Sequence, residues 1–152
     1  MGTGLPVRKI PAYLLLLVLQ LMIAGCSQSP PEEAIRHALD ELEQAIEDGD
    51  TGTIMDRLTD NANVSRGHPM NRKELQRTLV AAFFRYPKRQ VTLAGIRIEV
   101  DPVSRKTARV RFTAIVWGGR NLLPENGDSY QVDSHWVYDG NWKIDSLDAS
   151  GQ

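Results

Sequence analysis

The chain has 152 residues, a net charge of −1, 41% hydrophobic and 24% charged residues, the balance of an ordinary globular domain rather than a disordered or fibrous chain. Its single cysteine excludes a disulfide within the chain, so an apolar core must hold the fold. The near-neutral charge and the lack of interleaved basic and aromatic residues argue against a nucleic-acid-binding protein.

The first 25 residues have the pattern of a bacterial secretion signal. Arg8 and Lys9 precede an apolar run over 12–24 that only Gln20 interrupts. At ~1.5 Å per residue this run covers roughly 20 Å, which is short of the ~30 Å hydrocarbon core of a membrane. We therefore expect residues 1–25 to be removed during export rather than to span the membrane.

The end of this signal, Ile23-Ala24-Gly25-Cys26, resembles the bacterial lipobox. The resemblance implies cleavage between Gly25 and Cys26 and transfer of a diacylglyceryl group, which carries fatty acyl chains such as palmitate, to the Cys26 thiol. Two or three chains make a durable membrane anchor, whereas one holds only marginally. By resemblance to enterobacterial sorting, Ser27 in place of Asp favours the outer membrane, facing the periplasm. The alternative is a chance cysteine beside an ordinary signal peptide.

Charge is segregated along the rest of the chain. Residues 26–60 contain ten acids and two bases, 61–120 three acids and thirteen bases, and 121–152 six acids and one base. Either the basic segment forms a face for an anionic envelope polymer, or acidic and basic elements lie side by side and neutralise each other. The second interpretation is the simpler one.

After a short lipidated tether over 26–31, residues 32–150 predict one domain that opens with helices. Apolar residues at helical spacing follow Pro31 and predict an amphipathic helix that ends at Gly49. A short second helix and a loop over 60–70 come next. A third helix begins at Asn71, with Glu74 at capping-box spacing, and ends at Pro87. The apolar contacts expected are Ile35, Ala38, Leu39, Leu42, Ala45 and Ile46 of the first helix, Ile54, Met55 and Leu58 of the second, and Leu75, Leu79, Ala82, Phe83 and Tyr86 of the third.

The hydrophobic period then changes from 3.6 to 2, which predicts strands. The alternation slips in phase at Gly95, as a β-bulge would cause. Three further strands are expected over 108–116, 130–138 and 142–147, with a loop over 118–127 and a hairpin turn at Asp139-Gly140-Asn141. The predicted fold class is α+β, with N-terminal helices packed on a curved four-stranded antiparallel sheet.

The order of elements resembles the nuclear transport factor two-like (SnoaL-like) family, which has a cystatin-like cone. The resemblance spans 32–148 and is carried by the opening helix over 35–46, by Gly49-Asp50-Thr51 before a short helix, and by the closing WVYDGNWKI over 136–144. It implies a conical cavity in which some relatives act as isomerases, dehydratases or epoxide hydrolases, while others bind or assemble. The enzymes need a carboxylate or histidine inside the cone, often beside a tyrosine, and no Tyr–Asp pair falls on matching positions here.

The candidate catalytic cluster is Asp133, His135 and Asp145, on adjacent predicted strands. A three-residue turn pairs Tyr138 with Trp142, Trp136 with Ile144 and His135 with Asp145, and leaves the charged side chains outside. A two-residue turn instead brings Asp133 and His135 onto the inner face. The first register avoids burial of charge and is favoured.

No metal site and no cofactor is expected. His37, His68 and His135 belong to separate predicted elements without the spacing of metal ligands. Gly118-Gly119 lacks the Gly-Lys-Ser/Thr ending of a phosphate-binding loop and is expected to end a strand.

Three functions are consistent with these observations. The favoured one is a lipid-anchored, non-catalytic domain that binds an apolar ligand or docks on another envelope protein. The second is a periplasmic isomerase or hydratase that uses Asp133 or His135. Separately, two copies of the chain could pair as a homodimer through the outer face of the sheet. The third function is the binding of anionic envelope polymers. The third function would use the cations Arg72, Lys73, Arg77, Arg85, Lys88 and Arg89.

Overall fold

The computed structural model describes residues 29–119 and 126–151. The predicted signal peptide, the predicted cleavage and lipidation site at Gly25 and Cys26, and the start of the tether lie outside these ranges. None of the helices in the described ranges has both the length and the hydropathy needed to cross a bilayer.

Helix α1 (Pro31–Asp48) begins and ends where the sequence predicts. Proline and two glutamates occupy its first turn, where the missing N–H costs nothing and negative charge favours the helix dipole. Gly49 ends the helix in the left-handed conformation at φ 73° and donates its N–H to the Ile46 carbonyl at 3.2 Å. One stripe of α1 is buried: Ile35, Ala38, Leu39, Leu42 and Ala45.

Two further helices follow. In α2 (Thr51–Asp56), the Asp50 carboxylate accepts a hydrogen bond from the Thr53 N–H at 3.1 Å. Helix α3 (Arg72–Arg85) begins with the predicted capping box, in which the Asn71 and Glu74 side chains each accept the other's backbone N–H at 3.0 Å. The residues of α3 that were predicted to be buried are only half-buried, and no residue of this helix is fully buried.

The sheet has six strands, so the prediction of four is wrong, while the α+β class with a curved, mainly antiparallel sheet is confirmed. Helix α1 contacts both β3 and β6, which two other strands separate, so the sheet must curl around this helix. All neighbouring strands are antiparallel except β1 and β6. The strands are β1 (Leu58–Ser65), β2 (Pro69–Met70), β3 (Lys88–Val100), β4 (Thr107–Gly119), β5 (Asn126–Asp139) and β6 (Asn141–Gly151), in the order β2-β1-β6-β5-β4-β3.

The two additional strands replace most of the loop predicted over 60–70. Strand β1 also includes Leu58, which was expected on the second helix. Leu58, Ala62 and Val64 share one phase of a strand, but Asp60 interrupts it and the segment is rich in Asp and Asn, so its local strand signal is weak. Its partner β6 lies some 80 residues further along the chain, and pairing with β6 buries Leu58, Ala62 and Val64. Tertiary contacts therefore determine this strand.

The predicted bulge in β3 is confirmed. The pairing of β3 with β4 shifts between Ala94 and Arg97, and Gly95 has φ 63°. Because the bulge adds one residue, Leu93 before it and Ile96 and Ile98 after it all pack against the core.

Candidate functional site

The inner face of the sheet is apolar at the centre of the molecule. Trp136 and Val110 are fully buried there, and Ser134 is the single buried polar residue of the described ranges. The Ser134 hydroxyl donates to the Val110 carbonyl at 2.9 Å and accepts from the Trp136 indole N–H at 3.0 Å. The polar atoms of these buried side chains are therefore hydrogen-bonded to one another or to the backbone. The apolar core fills the cone at the centre of the molecule.

Helix α3 contacts α2, β1 and β2 at one edge of the sheet, and we call this side of the molecule the wide end of the cone. Its lining is half-buried rather than buried, since α3 contributes no fully buried side chain. The Glu43 carboxylate of α1 lies beside the Leu93 backbone, and burial raises the pKa of this carboxyl. Seven half-buried apolar residues of the described chain pack against the core here. They are Met70, Leu75, Leu79, Phe83, Leu93, Phe112 and Leu147.

A polar group stands beside this lining, at Tyr130 on β5. Arg66 donates to the Tyr130 hydroxyl at 2.6 Å, with its guanidinium 4.7 Å from the ring centre, and the hydroxyl donates to Asp128 at 3.3 Å. Burial raises the pKa of Tyr130 above its ordinary value of 10.0. The phenol therefore stays protonated at neutral pH and can hydrogen-bond a ligand, but it is not a general base.

Tyr130 begins one of the predicted strands, but its partner Arg66 was not predicted. Arg66 stood in the predicted loop, and no local pattern links it to a residue 64 positions away. A shallow cleft of about 630 Å³ lies between them, lined by residues that include Ser65, Arg66, Tyr130 and Asp148.

The hairpin of β5 and β6 decides where the candidate catalytic residues lie. Tyr138 pairs with Trp142 and Trp136 with Ile144, which confirms the favoured register. The expected pairing of His135 with Asp145 is wrong, because the register shifts after Trp136 and His135 faces Ser146. Since Ser134 and Trp136 point into the core, their neighbours in β5 point outwards.

Asp133, His135 and Asp145 are therefore not brought together as a hydrogen-bonded group. Arg109 binds Asp133 with two nitrogens, one of them at 2.9 Å, and this hydrogen bond lowers the pKa of the carboxyl. Asp145 accepts from the Thr59 hydroxyl at 2.9 Å, and the His135 side chain is exposed. Asp133 and His135 line an open cleft of about 760 Å³ on the outer face. A paired, acidic carboxylate of this kind is a weak base.

Two of the six cations proposed for anion binding instead donate hydrogen bonds to backbone carbonyls of the domain. Arg72 donates to the carbonyls of Leu58 and Thr59, both at 3.2 Å. Arg89 is half-buried and donates to four carbonyls where α1 and α3 end, at 2.6–3.1 Å: Ile46, Glu47, Phe83 and Tyr86. The side chains of Lys73, Arg77, Arg85 and Lys88 are exposed.

The sequence analysis overlooked two apolar residues among those four cations. On α3, Phe84 is 90% exposed and Val80 is 54% exposed. Val80 and Phe84 lie three and seven residues after Arg77, on the side of α3 that faces away from Leu75 and Leu79. This helical spacing is the sequence signal that could have identified them.

The histidines stand apart from one another. His37 lies 3.2 Å from the Glu41 carboxylate on the exposed side of α1, and His68 is exposed in the turn after β1. A search of the described ranges finds no group of three His, Cys, Asp or Glu residues that could hold a metal ion.

No family model matches the sequence, and no curated protein matches it. Solved structures do match its fold. A candidate scytalone dehydratase from Novosphingobium aromaticivorans is 17% identical, with a TM-score of 0.68 over 80% of this chain and 83% of that one. A nuclear transport factor two-like superfamily protein from Salmonella enterica is 15% identical, with a TM-score of 0.67 over 81% and 92%.

A third structure, a protein of unknown function with a cystatin-like fold from Nostoc punctiforme, is 11% identical, with a TM-score of 0.67 over 82% and 93%. At this level of identity the likeness concerns the fold alone. The chain thus has the cystatin-like, nuclear transport factor two-like fold that the sequence resemblance implies. The name dehydratase describes the Novosphingobium protein and does not extend to this chain.

Proposed function

We propose that this chain is a lipid-anchored, non-catalytic binding domain of the bacterial cell envelope, which holds an apolar ligand at the wide end of its cone. The apolar, half-buried lining formed by α3 and the sheet is the observation that carries the proposal. Such side chains gain about 25 cal/mol for each Å² that a ligand removes from water. The Tyr130 hydroxyl beside them supplies one hydrogen bond for a polar group of the ligand.

The alternative of an isomerase or hydratase needs a proton acceptor inside the cone. Asp133 and His135, the residues considered for that role, lie on the opposite face of the sheet, and Asp133 is paired with Arg109. The fold accommodates both binding proteins and enzymes, so the lining and not the fold supports the non-catalytic function.

The binding of an apolar ligand is tested by photo-cross-linking of the full chain in intact cells. The photoreactive residue p-benzoylphenylalanine replaces Phe112, a conservative exchange on the inner face of β4. We expect mass spectrometry of the purified chain to show a discrete adduct of an apolar compound. The same residue in place of Val103, which is 91% exposed in the turn after β3, serves as the control.

Equal labelling at the two positions, or no adduct at position 112, would contradict the proposal. A Leu79→Trp variant that carries the photoreactive residue at 112 gives a second measurement, because the larger side chain fills the space beside α3. The adduct should then decrease, while thermal unfolding shows whether the variant still folds.

The anchor is proposed from the lipobox and is tested separately. Incorporation of labelled palmitate should be lost in Cys26→Ser, and the precursor should keep residues 1–25. Fractionation of the envelope then tests the proposed location at the outer membrane. A wild-type chain that takes up no label would show that Cys26 merely adjoins an ordinary signal peptide.

A further inference from the structure

Helix α3 has a second stripe, which faces away from the molecule. Lys73, Arg77, Val80 and Phe84 follow one another at steps of four, three and four residues, so they lie along one side of the helix. All four are exposed, and Phe84 is 90% exposed. Since the opposite stripe of α3 packs against the core, the fold does not require a phenylalanine at this position.

The charge around this stripe is positive. Besides Lys73 and Arg77, Arg85 at the end of α3 and Lys88 at the start of β3 are exposed. The helix has one acid, Glu74, whose carboxylate accepts the Asn71 N–H at 3.0 Å in the capping box. We call Lys73, Arg77, Val80, Phe84, Arg85 and Lys88 the α3 surface.

We propose that the α3 surface docks on a bilayer that contains anionic phospholipid. Phe84 and Val80 insert between the headgroups, and the four cations bind the phosphates around them. An interfacial helix joins an apolar side to basic residues in this way. An anionic polysaccharide could cover Phe84 with a sugar ring, but it offers no apolar interior for the exposed Val80 beside it, so the pair of apolar side chains favours a bilayer.

Because the proposed anchor already holds the domain near the bilayer, even a weak interaction of the α3 surface is enough to dock the domain. Four residues lie between Cys26 and Pro31, where α1 begins, and the five residue steps from Cys26 to Pro31 span at most about 17 Å in an extended chain. A domain held this close to the bilayer meets its surface at a high effective concentration. The docking does not depend on what the cone binds, so either proposal can fail while the other stands.

The test uses the full chain reconstituted in vesicles of phosphatidylcholine and phosphatidylglycerol whose acyl chains are brominated. In Phe84→Trp, we expect the emission added by the new indole to shift to the blue and to be quenched by bromine. Wild-type protein gives the background from the three native tryptophans. Val103→Trp is the matched control, since Val103 is 91% exposed on another part of the surface, and its added emission should not be quenched.

The charge dependence is tested in the same assay. Adding Lys73→Gln and Arg77→Gln to Phe84→Trp should lower the ratio of docked to free domain by about 25-fold, because each cation near an anionic surface contributes roughly fivefold. Vesicles of phosphatidylcholine alone should show a loss at least as large, because all four cations then lack anionic lipid. Circular dichroism and thermal unfolding confirm that each variant is folded.

Three results would overturn the proposal. The first is an unquenched tryptophan at 84 in a folded protein. The second is stronger quenching at 103 than at 84, which would mean that the domain approaches the bilayer by a different side. The third is salt-sensitive binding of the full chain to soluble lipopolysaccharide that Phe84→Ser leaves unchanged, together with no quenching at 84, which would identify a polymer-binding surface instead.

Discussion

Arg89 connects the two long helices through a single side chain. Its guanidinium donates to carbonyls at the ends of both α1 and α3 and stacks 4.6 Å from the centre of the Phe83 ring. A Cβ at Gly49 would lie 2.6 Å from a nitrogen at the end of the flexible Arg89 side chain, and the left-handed φ of 73° is the property that favours glycine here. A residue that sequence charge alone assigns to anion binding thus satisfies helix ends.

Replacing Arg89 with methionine should lower the free energy of unfolding by about 2–3 kcal/mol, because hydrogen bonds from a charged donor to half-buried carbonyls are lost together. Urea denaturation measures this change. Arg85→Met is the control on the same helix, and we expect an effect within about 0.5 kcal/mol, since Arg85 is exposed. Similar losses for the two variants would show that Arg89 does not connect the helices energetically.

Strand β3 shows how one residue sets the orientation of an element. Without the extra residue at Gly95, the side chains on one side of it would point to the outer face, because strand alternation has a period of two. Gly95 is exposed, and a Cβ at this position would meet no atom within 4 Å. Its φ of 63° is therefore the property that favours glycine.

Gly95→Val should cost about 1–2 kcal/mol of unfolding free energy, since a left-handed backbone crowds a branched side chain. Gly95→Asn should cost less, because asparagine adopts this conformation more readily. Chemical denaturation of both variants provides the comparison. Equal costs would show that the left-handed backbone is not the property that favours glycine at this position.

The molecule as a whole is unevenly packed. Helix α1 buries Ile35 and Leu39 almost completely, and strand β5 buries Trp136. Helix α3 buries no residue fully, although it covers the wide end of the cone and carries the α3 surface. An element with few buried contacts opens at a lower free energy than the core, so α3 is the part of the described chain best able to admit a ligand.

Native-state hydrogen exchange tests this difference. Amides of α3 should exchange at least roughly tenfold faster than amides of α1 and β5, through an opening that leaves the sheet intact. Protection of α3 should increase in the membrane-bound chain if the α3 surface docks on the bilayer. Equal protection of α1 and α3 would show that the domain opens only as a single unit.

Local chemistry in the sequence determined the elements that depend on neighbouring residues. Proline and glutamates start α1, Gly49 ends it, Asn71 and Glu74 cap α3, and Gly95 marks the bulge, because caps and bulges involve residues a few positions apart. The α+β class and the inner stripe of α1 follow from hydrophobic period.

Tertiary structure alone decided the features that join distant segments. Strand β1 forms against β6, Arg66 meets Tyr130, and Arg89 binds the ends of two helices. The bulge in the last hairpin separates His135 from Asp145. Such pairings depend on which faces come together when the sheet curls around α1, and the free energy of that packing is not encoded in any short stretch of sequence.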